Sequence, residues 1–232
     1  MIVALNNKSN KNQQEFKEYV EKLGKLETNH RLVLCPTFLN IGQVPAGNII
    51  LGSQNVSKNQ DGAFTGEVSA SQLKSFGVKC SIVGHSERRE YQHETNDEIR
   101  EKINRLKEND IIPILCVGET LEQRNQNQVE SVLEEELRIS TQDLTEEDKK
   151  NLIIAYEPIW SIGTGVIPTK EQIEEVFHYI KASFPETPVL YGGSANEENI
   201  DMLKEIKLID GYLLGGLSLK PDKLKIFLEK LQ

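Results

Sequence analysis

A carboxylate, an imidazole and an ammonium group each stand at the polar end of an apolar run in this 232-residue chain. Glu157 closes the run Leu152–Glu157, with Ile154 and Ala155 before it and Pro158, Ile159 and Trp160 after it. Proline restricts the backbone of the residue it follows, and a carboxylate pushed among apolar groups becomes a stronger base because its charge loses hydration. His85 closes Cys80–His85 and opens a helical segment. At a helix start the dipole and the free N–H groups disfavour imidazolium, leaving a neutral ring that can polarise an oxygen. Asn6 and Lys8 stand at the end of Ile2–Asn6. With a net charge of −9, the chain repels anions as a whole, so a lysine beside these groups is a local attractor for one. Taken singly, each has an ordinary alternative: an exposed strand-end carboxylate, a packed histidine, a solvated lysine.

The same charge argues against nucleic acid and against an anionic membrane surface as partners. No segment approaches the roughly 20 apolar residues of a membrane span. Met1–Leu5 is apolar but ends at once in Asn6-Asn7-Lys8, unlike a secretory signal. A cytoplasmic location is expected. Cys35, Cys80 and Cys116 each lie in or beside an apolar run, an odd and scattered set that reads as core thiols in a reducing compartment. No clustered His/Cys/Asp spacing predicts a metal site, and no G-x-G-x-x-G follows a strand.

The elements that must position these groups alternate. Apolar runs occur at Ile2–Asn6, Arg31–Cys35, Ile49–Asn55, Cys80–His85, Ile111–Val117, Leu152–Glu157, Val189–Ser194 and Gly211–Gly216. Most are apolar throughout, as parallel strands covered on both faces are. Helical patterns lie between them at Gln13–Leu26, Asn96–Lys107, Gln128–Ile139, Lys170–Ser183, Glu197–Lys204 and Asp222–Leu231. Thr95 reads as an N-cap, Thr169 with Gln172 as a capping box, and Pro221 as a helix opener. The segment Pro36–Asn48 carries two prolines and two glycines, so a shortened or missing second outer helix is expected. Eight strands with intervening helices fit a (β/α)8 barrel or an open doubly wound sheet. With no linker or composition break, residues 1–232 are expected to form one domain. In a barrel, the polar strand ends would gather at one face.

At those strand ends the chain resembles the triosephosphate isomerase family. The stretches that carry the resemblance are Asn6-Asn7-Lys8, Asn55 through Glu67, Val83 through Arg89, Cys116 through Thr120, Ala155 through Gly165, Tyr191 through Ser194 and Leu213 through Gly216. Together, in order, they span the whole chain. The resemblance implies a single-domain α/β protein with the (β/α)8 (TIM) barrel fold. It implies interconversion of dihydroxyacetone phosphate and D-glyceraldehyde 3-phosphate through an enediolate, in glycolysis and gluconeogenesis, with no cofactor. It assigns Glu157 as base, neutral His85 as electrophile, and Asn6 and Lys8 as polar partners of the substrate, a known pattern of this family. Glu87 is a further catalytic candidate. Gly163, Ser194, Gly215 and Gly216 match the phosphate cradle, where glycine admits close approach of N–H groups. Pro158–Pro168 resembles the closing lid, with Ile162 and Leu213 clamping the base. The loop Gln54–Glu67 implies a homodimer in which Thr65 braces the partner's Asn6 and Lys8.

Two departures stand out. Asn7 replaces an aromatic residue, which is expected to loosen local packing. Pro168 falls where the family offers a backbone N–H to the hydroxyl matching Tyr191, and proline has none. The Tyr191 latch is therefore expected to be missing, while Ser194 still reaches the N–H of Gly165. Two other readings remain: a catalytically silent barrel kept for binding, and an enzyme acting on a larger sugar phosphate.

Overall fold

The structure, a computed structural model, describes residues 1–45, 47–164 and 166–231. Eight parallel strands close into a barrel in sequence order. They are β1 (Ile2–Asn6), β2 (Arg31–Cys35), β3 (Ile49–Ser53), β4 (Cys80–Val83), β5 (Ile112–Val117), β6 (Ile153–Tyr156), β7 (Val189–Tyr191) and β8 (Gly211–Leu214). β8 returns to pair with β1 in the register Ile2 to Gly211. The open-sheet alternative is thereby excluded.

The near-continuous apolarity of the strands has a direct structural cause. Alternate residues serve two different cores. Ala4, Val33, Cys35, Ile82, Ile114, Cys116, Ala155 and Leu190 fill the barrel interior. Val3, Leu5, Leu34, Val83, Leu115, Ile154 and Tyr156 face outward and meet the helices. The three thiols are buried and free, as the sequence predicts, and burial raises the pKa of each.

Ten α-helices are found among the described residues: α1 (Gln13–Leu23), α2 (Ala70–Ser75), α3 (Ser86–Gln92), α4 (Asn96–Glu108), α5 (Leu121–Asn125), α6 (Val129–Thr141), α7 (Glu146–Lys150), α8 (Lys170–Ser183), α9 (Ile200–Leu203) and α10 (Pro221–Lys230). The long ones carry one apolar stripe each; in α4 it is Ile99, Ile103 and Leu106. Among the described residues between β2 and β3 only a 3-10 segment forms, Phe38–Gln43, in agreement with the expected shortening or loss of an outer helix.

Two sets of boundaries need correction. The apolar runs overshoot their strands, so His85, Glu157, Ser194, Gly215 and Gly216 lie one to three residues into the loops. There several backbone N–H groups turn to side chains: Gly84 donates to Glu94, Ser86 to Glu157 and Gly118 to Glu136. The pattern at Glu197–Lys204 shrinks to α9, because the Asn196 side chain first takes the N–H groups of Glu198 and Asn199. The short helices α2, α5 and α7 carry too few turns to show a period. Their signal was the capping box, at Ser69 with Gln72, Thr120 with Gln123 and Thr145 with Asp148.

Candidate active site

The loops at the C-terminal ends of the strands enclose a cleft of about 300 Å³. Asn6, Lys8, His85 and Glu157 line it, together with Gly163, Ser194, Gly215 and Gly216. Ile162 and Leu213 also border it. Residues from the first strand, such as Asn6, and from beyond the last, such as Gly216, are thus brought together through the barrel's closure.

His85 is the N-cap of α3. Its Nδ1 accepts the N–H of Glu87 at 3.2 Å, so the ring's proton sits on Nε2. Nε2 lies 3.1 Å from Glu157 Oε1, and Glu157 Oε2 accepts the Ser86 N–H at 3.0 Å. Both side chains are buried. Glycine at 192 is required here, since a Cβ would stand 2.9 Å from Glu157 Cγ.

The electrostatics correct two sequence expectations. Burial pushes the Glu157 carboxyl up, but the facing His85, the Ser86 N–H and Lys8 outweigh it and hold the pKa below its ordinary value. Burial likewise pushes His85 down, yet the Glu157 carboxylate outweighs it and raises the pKa. The helix start keeps Nδ1 unprotonated; the carboxylate pulls the other way. Neither direction was visible in sequence, because both arise from the pairing of two side chains 72 residues apart.

Lys8 adopts the left-handed backbone region, φ 50°, which costs a side-chain-bearing residue about 1–3 kcal/mol. Its N–H donates to Asn6 Oδ1 at 3.0 Å, its carbonyl accepts from Gln54 Nε2 at 2.9 Å, and its ammonium pairs with Glu87. Glu87 is therefore joined to the site through Lys8. Gln54 was not singled out in the sequence, and an amide after a strand carries little signal.

Asn7 does not loosen the packing. It is fully buried and donates to Tyr19 Oη and Ser218 Oγ, both at 3.3 Å, while Ser218 Oγ donates to the Asn6 carbonyl at 3.1 Å. A polar network replaces the aromatic and ties the end of β1 to the 3-10 turn Gly216–Leu219. Ser194 Oγ donates to the Ser161 carbonyl at 2.5 Å, and the Ser194 N–H to Ser161 Oγ at 3.3 Å. Gly165, the expected partner of Ser194, lies outside the described residues. Among the described residues, the Tyr191 hydroxyl is buried without a hydrogen-bond partner. Glu119, fully buried after β5, was also missed; it accepts from Trp160 Nε1 at 2.8 Å, Tyr156 Oη at 3.1 Å and Arg124 Nε at 2.7 Å.

The arrangement offers a carboxylate base, an imidazole N–H facing it, a lysine, and a glycine-rich wall. The family model described as Triosephosphate isomerase matches residues 1–231. The chain is 39% identical to a triosephosphate isomerase of Clostridium botulinum (strain Loch Maree), over 95% of both chains. It is 40% identical to that of Clostridium beijerinckii, again over 95% of both. It is 47% identical to that of Mycoplasmopsis agalactiae, over 75% of this chain and 67% of the other.

Proposed function

This chain belongs to the triosephosphate isomerase family and interconverts dihydroxyacetone phosphate and D-glyceraldehyde 3-phosphate, and from that premise we propose that Glu157 is the base, His85 the proton donor to oxygen, and Lys8 with Asn6 the polar clamp. Glu157 takes a proton from the carbon beside the carbonyl. The Nε2–H of His85 donates to the carbonyl oxygen, and the resulting enediolate is offset by Lys8. The hydroxyl on the carbon first deprotonated then gives its proton to His85 Nε2 as the neighbouring carbon, the former carbonyl carbon, takes the proton from Glu157. A new carbonyl forms and both side chains return to their starting states. The observation that carries this reading is the 3.1 Å approach of two buried groups, His85 and Glu157, in the same cleft as Lys8.

A substrate oxygen seated between the two groups would take the place of the His85–Glu157 contact that helps hold the carboxyl down, while burial stays, so the carboxyl would rise toward a stronger base. His85 at the same moment loses the pull that raised it and keeps the Glu87 N–H on Nδ1, which leaves it neutral. The phosphate is received by Gly163, Ser194, Gly215 and Gly216. Gly215 runs beneath the Lys8 chain, and Gly163 sits at φ 70° in the segment read as a lid. Glu87 acts by holding Lys8.

We also propose a homodimer, residues 1–232 as one domain, and a cytoplasmic setting. Phe64 in the Gln54–Glu67 loop is 45% exposed, and Phe38 and Tyr91 border a second hollow that reaches Lys8 and Glu87. A partner's Phe64 and Thr65 fit that hollow. Sedimentation at micromolar protein should give twice the chain mass; a fully active monomer overturns this. Among the described residues, no helix is long and apolar enough to cross a membrane. A coupled assay with D-glyceraldehyde 3-phosphate tests the activity. Glu157→Gln tests the mechanism: near-wild-type turnover in that variant would remove Glu157 from its role.

A further inference from the structure

Glu136 is a second buried glutamate near the cleft, and the chemistry above does not use it. It projects from α6, in the outer ring, with a side chain only 12% exposed. Its Oε2 accepts the Gly118 N–H at 2.9 Å, and its Oε1 lies 3.5 Å from Arg89 Nη1. Both partners lead to the catalytic pair.

Gly118 lies directly against the base's own peptide. A Cβ on Gly118 would stand 1.8 Å from the Glu157 carbonyl oxygen. The Glu157 N–H donates to the Val117 carbonyl at 2.8 Å, one residue before Gly118. Arg89 works on the other side. Its Nε donates to the Gly84 carbonyl at 2.8 Å and its Nη2 to the Cys116 carbonyl at 3.3 Å. It thereby ties the exit of β4, one residue from His85, to the end of β5.

We propose that Glu136 is a positioning residue, which holds Gly118 and Arg89 together and so sets the separation of His85 and Glu157. The proposal rests on reading those two as the acid–base pair. The charged groups facing Glu136 are Arg89 from α3, Glu119 beyond β5 and Glu157 beyond β6. Burial, with the two like charges, pushes its carboxyl up to about 7 against the pull of Arg89 and Gly118. The clamp thus weakens toward Arg89 as pH falls through neutrality.

Glu136→Leu removes both bonds, while Glu136→Gln keeps an acceptor for the Gly118 N–H. Steady-state kinetics from pH 5.5 to 9, with a thermal melt of each variant, supply the test. Glu136→Leu should lower kcat by about 10-fold or more, since small misplacement of reacting groups is costly, with KM within about 3-fold. Glu136→Gln should restore kcat to within about 3-fold at pH 8 and make log kcat fall less than in wild type as pH drops from 8 to 5.5. A folded Glu136→Leu with wild-type kcat overturns the proposal, as does a Glu136→Gln no better than Glu136→Leu. If Glu136→Leu does not fold, Glu136→Gln decides alone: a pH profile of log kcat that coincides with that of wild type throughout overturns the clamp. Glu157→Gln is assayed in parallel. Activity in that variant sinks the base assignment, whereas the Glu136 outcomes are read only from wild type and the two Glu136 variants.

Discussion

Glu157 and Glu136 are both buried carboxylates at the same end of the barrel, one on the wall of the cleft and one behind it. Burial raises both, yet the pKa of Glu157 ends below its ordinary value and that of Glu136 near 7. The difference lies in what each faces. Glu157 has a backbone N–H at 3.0 Å, an imidazole at 3.1 Å and Lys8 across the cleft. Glu136 has one N–H and an arginine at 3.5 Å, and looks toward two other carboxylates. A site that receives an anion must carry donors and cations in excess, and its base lies among them. The support behind it has no such excess, and there burial wins.

The largest effect that can break this comparison is on turnover. Glu157→Gln should lower kcat by about 10²–10⁴, the usual cost of losing a general base. The same change at Glu136 should stay within about 3-fold at pH 8, because the amide still accepts from Gly118. Steady-state assays with D-glyceraldehyde 3-phosphate compare the two, and equal losses would mean that the carboxylates do not differ in role.

The second effect is on stability, and its sign is fixed by the raised carboxyl. A glutamate whose folded pKa is about 7 binds its proton more tightly folded than unfolded. Its unfavourable contribution is small near pH 4, grows as pH rises, and is complete above pH 7. Glu136→Gln should therefore gain about 2–3 kcal/mol over wild type at pH 8 relative to pH 5. Urea unfolding at the two pH values reads this directly; an equal offset at both would show that Glu136 is not raised.

Glu157 should show the opposite sign. Its folded pKa is depressed, so its contribution is present above the ordinary carboxylate range and lost as pH falls through the folded value. His85, raised by the same pairing, contributes stability below its ordinary value that is lost as pH rises through the folded one. Glu157→Gln removes both contributions. Its unfolding free energy should depend less on pH between 2 and 5 than that of wild type, and an unchanged acid limb would show that the pair contributes nothing to folding.

The same contrast explains what was legible in the sequence. Strand positions could be read because alternate faces of β1 to β8 serve two apolar cores, leaving little polar interruption. The capping box at Thr169 and the proline at 221 fixed the starts of α8 and α10. Glu157 and His85 could be read because a polar residue at the end of an apolar run is conspicuous. Glu136 could not. It stands in α6 in the run Glu134-Glu135-Glu136, and which of three glutamates turns inward depends on helix phase against a partner far away in sequence. Gln54, Glu119 and Ser161 were hidden for the same reason, since their roles come from what they meet across the barrel end.

The smallest effect concerns two hydroxyls near the lid, Ser194 and Tyr191. Ser194 has a partner in the Ser161 carbonyl, at 2.5 Å, and its N–H meets Ser161 Oγ. Among the described residues no group meets hydrogen-bond geometry with the Tyr191 hydroxyl, although the Ser161 side chain lies close enough to lower its pKa; burial outweighs this and pushes it up to about 12. Pro168, buried at the far end of the lid, has no N–H to offer it. A bonded hydroxyl contributes about 0.5–1.5 kcal/mol, whereas an unpartnered buried one costs free energy. Ser194→Ala should therefore lower kcat/KM by about 2- to 10-fold, and by more if the phosphate contacts weaken with it. Tyr191→Phe keeps the ring and removes only the orphan oxygen. Its kcat/KM should stay within about 2-fold of wild type and its melting temperature should hold or rise, because unfolding no longer rehydrates a stranded hydroxyl. Kinetics and a thermal melt on both variants decide the matter. A loss in Tyr191→Phe as large as that in Ser194→Ala would mean that the tyrosine finds a donor or acceptor when the lid closes, despite the proline.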